Sequence, residues 1–476
     1  MAKKYCCDEY TRLTGVSRRV FVRTGGLAMV SFGLAPCFMG RALGATASLQ
    51  GRGKILVCVF QRGAVDGLSM VVPHGDREYY KARQNIAIEA PGRGSNRVID
   101  LDGFFGLHPS LAPLQPWYEE GHLAIVHAVG SPDATRSHFD AQDYMETGTP
   151  GVKSTPDGWL NRLLAETAEA ELGGPQALIR GLAVTQQEPL ALSGPQASLA
   201  VGDLRQFLGG EGAPSQRARG TDRQMNAATD MAGSDMANER QVEQARRRTS
   251  GNQRQREMLA SGFEALYGAD ERDIVLSTGS EALDAVAFLK TADPLRYQVA
   301  NGAEYPNVGL GRQLRHVAQL IKADIGLEIA FADIEGWDTH RQQGSTQGPL
   351  ANRLTEFGQA LAAFARDLGD RMEDVVVLTM SEFGRTVEEN GSRGTDHGHA
   401  NACMVLGGQV NGGTVYGDWP GLSREQRYQG RDLAITTDFR DVFGEVADTH
   451  LSPANRDTLF PGHVLEPSNY KGLIKT

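Results

Sequence analysis

Five short, largely apolar runs divide this chain. They are Ile55 to Phe60, Leu123 to Val129, Ile325 to Ala332, Val375 to Met380 and Ala402 to Leu406. Each has the length of a strand and is rich in Val, Ile, Leu or Ala. Most lack the alternation of a strand with one wet face. They predict the buried centre of a sheet covered on both sides. In the third run Leu327, Ile329 and Phe331 do alternate. Ala177 to Val184 predicts a further strand, and Pro189 to Ala200 a small antiparallel excursion.

Between the runs the period becomes helical. Leu310, Leu314, Val317 and Ile321 line one face, as do Leu354, Phe357, Leu361, Phe364 and Leu368. Shorter helices are predicted at Arg77 to Gln84, Leu111 to Glu120, from Ser137 onward, around Gly158 to Leu164, and at Asp438 to His450. This alternation predicts an α/β fold, a doubly wound, mostly parallel sheet sandwiched by helices. Residues 48–476 read as one such domain. Within it, residues 209–259 are polar and lack an apolar stripe until Met258. They predict an exposed helical insertion.

The first 47 residues follow a different logic. Ser17-Arg18-Arg19-Val20-Phe21-Val22-Arg23 resembles a twin-arginine export signal. The stretch from Gly25 to Met39 is only moderately apolar and is interrupted by glycines and Pro36. It is too short and too weak to span a membrane. Ala45-Thr46-Ala47 reads as a cleavage site. The expectation is a periplasmic or secreted protein, exported folded by the twin-arginine translocase and free of the membrane after cleavage.

Charge narrows the partners. The whole chain carries −10. A net +5 leaves with residues 1–47, so the remainder stands at −15. No basic stripe is present, which argues against a nucleic-acid partner. Of five cysteines, Cys6, Cys7 and Cys37 lie in the export segment. Cys58 and Cys403 sit in apolar runs and predict buried thiols, with one disulfide as the alternative.

Candidate chemistry collects just past the strands. Asp66 follows the first run, Ser137 the second, Asp338 and His340 the third. Asp396, His397 and His399 precede the fifth. Parallel strands place their carboxyl ends on one edge, so these groups can meet. Carboxylate oxygens and imidazole nitrogens in this mixture suit a divalent metal. Asp338 and His340 lie two apart, so an extended backbone points both the same way. Ser137 is placed at a helix start, as a plain N-cap or as a hydroxyl nucleophile facing an anion. His122 and His127, in or beside the second strand, read as structural. The inventory fits one or two divalent metals, with Asp66, Asp338, His340, Asp396 and His397 as ligands and Ser137 between them. Such a site polarises a phosphoryl or sulfuryl oxygen.

The export signal, Ser137-His138-Phe139-Asp140, Gly336-Trp337-Asp338-Thr339-His340, Ser381-Glu382-Phe383-Gly384-Arg385 and Thr395-Asp396-His397-Gly398 together resemble the exported bacterial family known as domain of unknown function 1501. The resemblance spans roughly residues 10–450. That family is grouped with the alkaline phosphatase and sulfatase superfamily. The resemblance therefore implies a large α/β sandwich with a two-metal site, with zinc, calcium or manganese compatible. It implies a small anionic ester as substrate and hydrolysis of phosphate or sulfate esters as the activity. A non-catalytic binding or assembly protein on the same fold is the alternative. The resemblance further implies His399 as an outer group bonding a metal carboxylate, and Glu382 as a substitute ligand. His450 and His463 are the candidates for a last histidine ligand. Departures are the short spacing of Asp338 and His340 and the missing sulfatase surround of Ser137.

Overall fold

β1 (Ile55–Gln61) is buried along its whole length, as its unbroken apolar sequence requires. The structure, a computed structural model, describes residues 53–170, 179–208 and 287–475. The expected export segment and the 209–259 insertion lie outside the described residues. After β1 come α1 (Gly67–Met70), β2 (Val71–Val72), α2 (Arg77–Ala82), β3 (Ile99–Asp100) and β4 (Gly106–Leu107). A single helix was the expectation over Leu111 to Glu120. The chain instead forms a 3-10 segment, Pro109–Leu114, and then α3 (Gln115–Glu119). Pro113 lacks the N–H that a continuous α-helix needs there.

β5 (Leu123–Gly130), α4 (His138–Thr147), α5 (Trp159–Ala170), β6 (Gly181–Ala183), β7 (Ser198–Ala200) and α6 (Leu204–Phe207) follow. The last part holds α7 (Gly309–Lys322), β8 (Ile329–Ile334), α8 (Pro349–Leu368), β9 (Val375–Met380) and β10 (Asn401–Gly407). It closes with β11 (Thr414–Tyr416), β12 (Thr437–Asp438) and α9 (Phe439–Leu451).

Nine strands form one sheet in the order β11-β5-β10-β9-β1-β8-β6-β7, and β12 pairs with β5. β1 is parallel to β8 and β9, and β6 is parallel to β8 and β7. β11 and β12 are parallel to β5. Only β10 is reversed, antiparallel to both β5 and β9. The reversal has a local cause. Residues 381–400 join β9 to β10 without a helix, and a parallel return needs a crossover, usually helical. β7 also differs from expectation, being a parallel edge strand and not part of an antiparallel excursion. β2, β4 and β3 make a small separate sheet.

Helices cover both faces. Ile55, Val57 and Val59 point into a core shared with Leu310, Leu314 and Val317 of α7 and Leu354, Phe357 and Leu361 of α8. Leu56, Cys58 and Phe60 point the other way, into a core with Trp159 and Leu163 of α5 and Phe439 and Phe443 of α9. Each such buried side chain contributes roughly 1.5–3 kcal/mol. The period of two in β1 thus feeds two separate cores. Cys58 and Cys403 are free, buried thiols in the second core, and burial pushes both thiols up.

Candidate metal centre

The carboxyl edge of the parallel strands carries the loops that matter. β1 leads to Gly63 and Asp66, β5 to Arg136 and His138, β8 to Asp338 and His340, β9 to Glu382 and Arg385. Because β10 is reversed, the residues that precede it, Asp396 and His397, also reach this edge. Two loop segments lock together there. Gly384 N–H donates to His399 O at 2.9 Å, Thr386 N–H to Asp396 O at 2.9 Å, and Gly398 N–H to Gly384 O at 2.8 Å. The approach is close enough that a Cβ on Gly398 would lie 2.4 Å from the Arg385 backbone. Only glycine fits.

Four side chains converge. Asp338 Oδ1 lies 3.0 Å from His340 Nε2, 3.4 Å from His397 Nε2 and 3.6 Å from His138 Nε2. His340 Nε2 and His397 Nε2 are 3.0 Å apart. Ligand atoms of His138, Asp338 and His397 all lie within 4.8 Å of one another, as metal binding requires. The far side of each ring is also engaged. His138 Nδ1 is 2.8 Å from Glu382 Oε1, His340 Nδ1 is 2.9 Å from Asp396 Oδ1, and His397 Nδ1 is 2.8 Å from the Arg136 carbonyl. The ring of His138 stacks on Phe383, with centroids 5.0 Å apart.

Two buried arginines tie together the loops that carry the cluster. Arg385 is buried and donates to the carbonyls of Gly63, Ala64, Trp337 and Thr395, and to Asp338 Oδ1 at 2.7 Å. It ties three strand-end loops to one guanidinium. Arg83 grips Asp66 through both carboxylate oxygens, at 2.6 and 2.9 Å. Ser69 Oγ and Gln343 Nε2 donate to the same carboxylate. Gln343 Oε1 in turn accepts from Thr339 and Thr395, the neighbours of Asp338 and Asp396.

Electrostatics follow from these contacts. Burial pushes the Asp338 carboxyl up, but Arg385 and then the neighbouring imidazoles outweigh it and hold it below the usual range. Asp396 is likewise held low against burial by His340 and Asn390. Burial lowers His397, which favours the neutral form that ligates. The bond to Glu382 raises His138, so a proton competes for its Nε2 when no cation is bound.

The sequence expectations fare unevenly. Asp338, His340 and His397 meet as expected. Asp396 stands behind His340 and orients it. Asp66 is a correction: fully buried, it is consumed by Arg83 and lies outside the cluster. Glu382 is buried and holds His138 from behind. His399 lies flat on Tyr428, with ring centroids 4.2 Å apart. Its charged neighbours are Asp432, Arg136 and Asp133, none of them in the cluster. Ser137 caps α4 through a long 3.5 Å bond from Asp140 N–H. His450 bonds the carbonyl of Ile55, at the opposite edge of the sheet, and His463 pairs with Asp441. Neither is a last ligand. His138 is the residue that sequence reasoning passed over. Its signal was position, the first helical residue after a buried strand.

A mostly parallel α/β sheet with an imidazole–carboxylate cluster at its carboxyl edge defines the class, an α/β protein with a candidate metal centre at its strand ends. The family model described as "Protein of unknown function (DUF1501)" matches residues 53–443, and the chain belongs to that family. No curated protein matches it.

Proposed function

We propose that this protein is an exported, metal-dependent hydrolase of phosphate or sulfate esters, built on the sheet arrangement of the alkaline phosphatase and sulfatase superfamily. The observation that supports this best is the convergence of three imidazole Nε2 atoms on one carboxylate oxygen, Asp338 Oδ1. A divalent metal bound there supplies Lewis acidity toward an ester oxygen. The residues around it suit an anion. Arg136 and Arg431 meet at the buried carboxylate of Asp432 and bring two guanidinium groups to the side of His397. The N-terminus of α4 adds free amides. Ser137 is the hydroxyl nucleophile of this reading. Its oxygen is held only by the long cap bond, so it keeps its own proton to give up.

The test uses the mature chain purified without chelator, with p-nitrophenyl phosphate and p-nitrophenyl sulfate as probes. Turnover of one of them is expected, lost on chelation and restored by metal. His397→Ala is expected to lose metal and turnover together. A metal-loaded protein that turns over neither ester would sink the hydrolase reading. The export route rests on Ser17 to Arg23. An Arg18→Lys, Arg19→Lys precursor is expected to stay in the cytoplasm, and its undiminished export would count against that route.

A further inference from the structure

We infer that the cluster is built for a single divalent ion of the zinc class, held by His138, His340, His397 and Asp338. Glu382 and Asp396 then act as positioning carboxylates behind two of the rings. The inference rests on the metal-dependent reading of this site and goes further, fixing ligand set, ion class and number.

The tautomers carry the argument. A backbone carbonyl can only accept, so His397 Nδ1 carries the hydrogen it donates to Arg136 O, and Nε2 keeps its lone pair. The carboxylates of Glu382 and Asp396 assign the hydrogens of His138 and His340 to Nδ1 in the same way. In the neutral rings all three Nε2 lone pairs therefore face Asp338 Oδ1. Two such lone pairs 3.0 Å apart, on His340 and His397, repel unless something positive lies between them. A proton there would serve that pair alone. It would leave His138 Nε2 as it stands, buried and without a hydrogen-bond partner. A cation serves His138, His397 and Asp338 together, with His340 Nε2 beside it at 3.0 Å from both His397 Nε2 and Asp338 Oδ1. The spacing agrees. A tetrahedral ion with bonds of about 2.0–2.1 Å holds its donors roughly 3.3–3.4 Å apart. The oxygen–nitrogen separations here are 3.0, 3.4 and 3.6 Å. Imidazoles backed by a carboxylate or a carbonyl are the usual outer arrangement of a metal site.

Donor type selects the ion. Three nitrogens and one oxygen suit zinc and its neighbours, whereas calcium and magnesium take oxygen sets. Number follows from what the other carboxylates do. Asp66 is spent on Arg83, and Asp396 Oδ1 on His340 and Asn390. Among the described residues one cluster of metal-binding geometry is found, that of His138, Asp338 and His397, and His340 borders it.

The experiment is elemental analysis of the mature protein purified without chelator, followed by replacement with cobalt(II). We expect one zinc-class ion per chain, calcium and magnesium well below one, and the intense visible absorption of a low-coordinate cobalt site. His138→Ala should weaken metal affinity at least about tenfold, and Glu382→Ala by about 10–100-fold. Glu382→Gln keeps an acceptor oxygen and should recover most of that loss, whereas Glu382→Leu, of similar size but with no acceptor, should not, which a mere packing role would not predict. Two ions per chain, calcium or magnesium in place of zinc, or wild-type affinity in His138→Ala would each overturn the inference. One zinc per chain with no ester turnover would leave it standing and defeat only the hydrolase reading.

Discussion

Asp66 shows how far a single residue can mislead. Its place after a buried strand fits a ligand, and its sequence neighbours carry no sign of a partner. The partner, Arg83, arrives through α2, from a part of the chain that joins the small second sheet and not the main one. The pair is wholly buried, and Arg83 holds Asp66 well below the usual carboxylate range against the upward push of burial. Replacing Asp66 with Ala leaves a buried, uncompensated guanidinium. It should cost about 3–5 kcal/mol of stability, with or without chelator. Urea unfolding in both conditions checks this. A variant that stays fully stable but loses its metal would return Asp66 to the ligand set. His138 is the converse case. One histidine beside an N-cap serine has no periodic partner to reveal which way it points, so the sequence could not show that its ring turns inward.

At the scale of elements, strands were legible and directions were not. Apolar runs mark β1, β5, β8, β9 and β10 to within a few residues, because burial on both faces leaves a compositional trace. Strand direction leaves none. The clue to β10 was negative: no helical period lies between Met380 and Asn401. That reversal brings the Asp396-His397 loop to the shared edge, so the site depended on the least legible feature of the sheet. α4 poses its own question. Ser137 is both its cap and the proposed nucleophile. Ser137→Ala removes a weak cap and should cost no more than about 1 kcal/mol. It should keep the metal and abolish ester turnover. Melting, metal content and turnover on one preparation decide it, and retained turnover would reduce Ser137 to a cap.

The whole molecule carries a pH dependence separate from the site. His108, His127 and His450 are buried, each donates from Nε2 to a carbonyl, and burial pushes each down to about 4. Unfolded, each titrates near its ordinary value of 6.5. Between those values the unfolded chain binds protons that the folded chain refuses. Stability is therefore complete above pH 6.5 and lost as pH falls toward 4, by up to about 1.4 kcal/mol per pH unit for each ring. Urea midpoints measured with chelator at pH 7.5 and 5 should show a large drop at the lower pH. A flat profile would mean that these rings are hydrated in solution.

The reversed strand also dictates when this molecule can be finished. β5 touches the main sheet only through β10, and its other neighbours, β11 and β12, come later still. A chain emerging from the ribosome has β1, β6, β7, β8 and β9 ready to associate, while β5 waits with no neighbour on either side. Asp338 and His340 ride on the first group, and His138 rides on the stranded one. His397 emerges four residues before Asn401, at the start of the strand that closes the gap. Translation must therefore run past residue 407 before the four donors can come together. Until then the nascent chain exposes open strand edges that invite pairing with other chains. Until β10 closes that gap the proposed ligands stay on separate pieces of sheet.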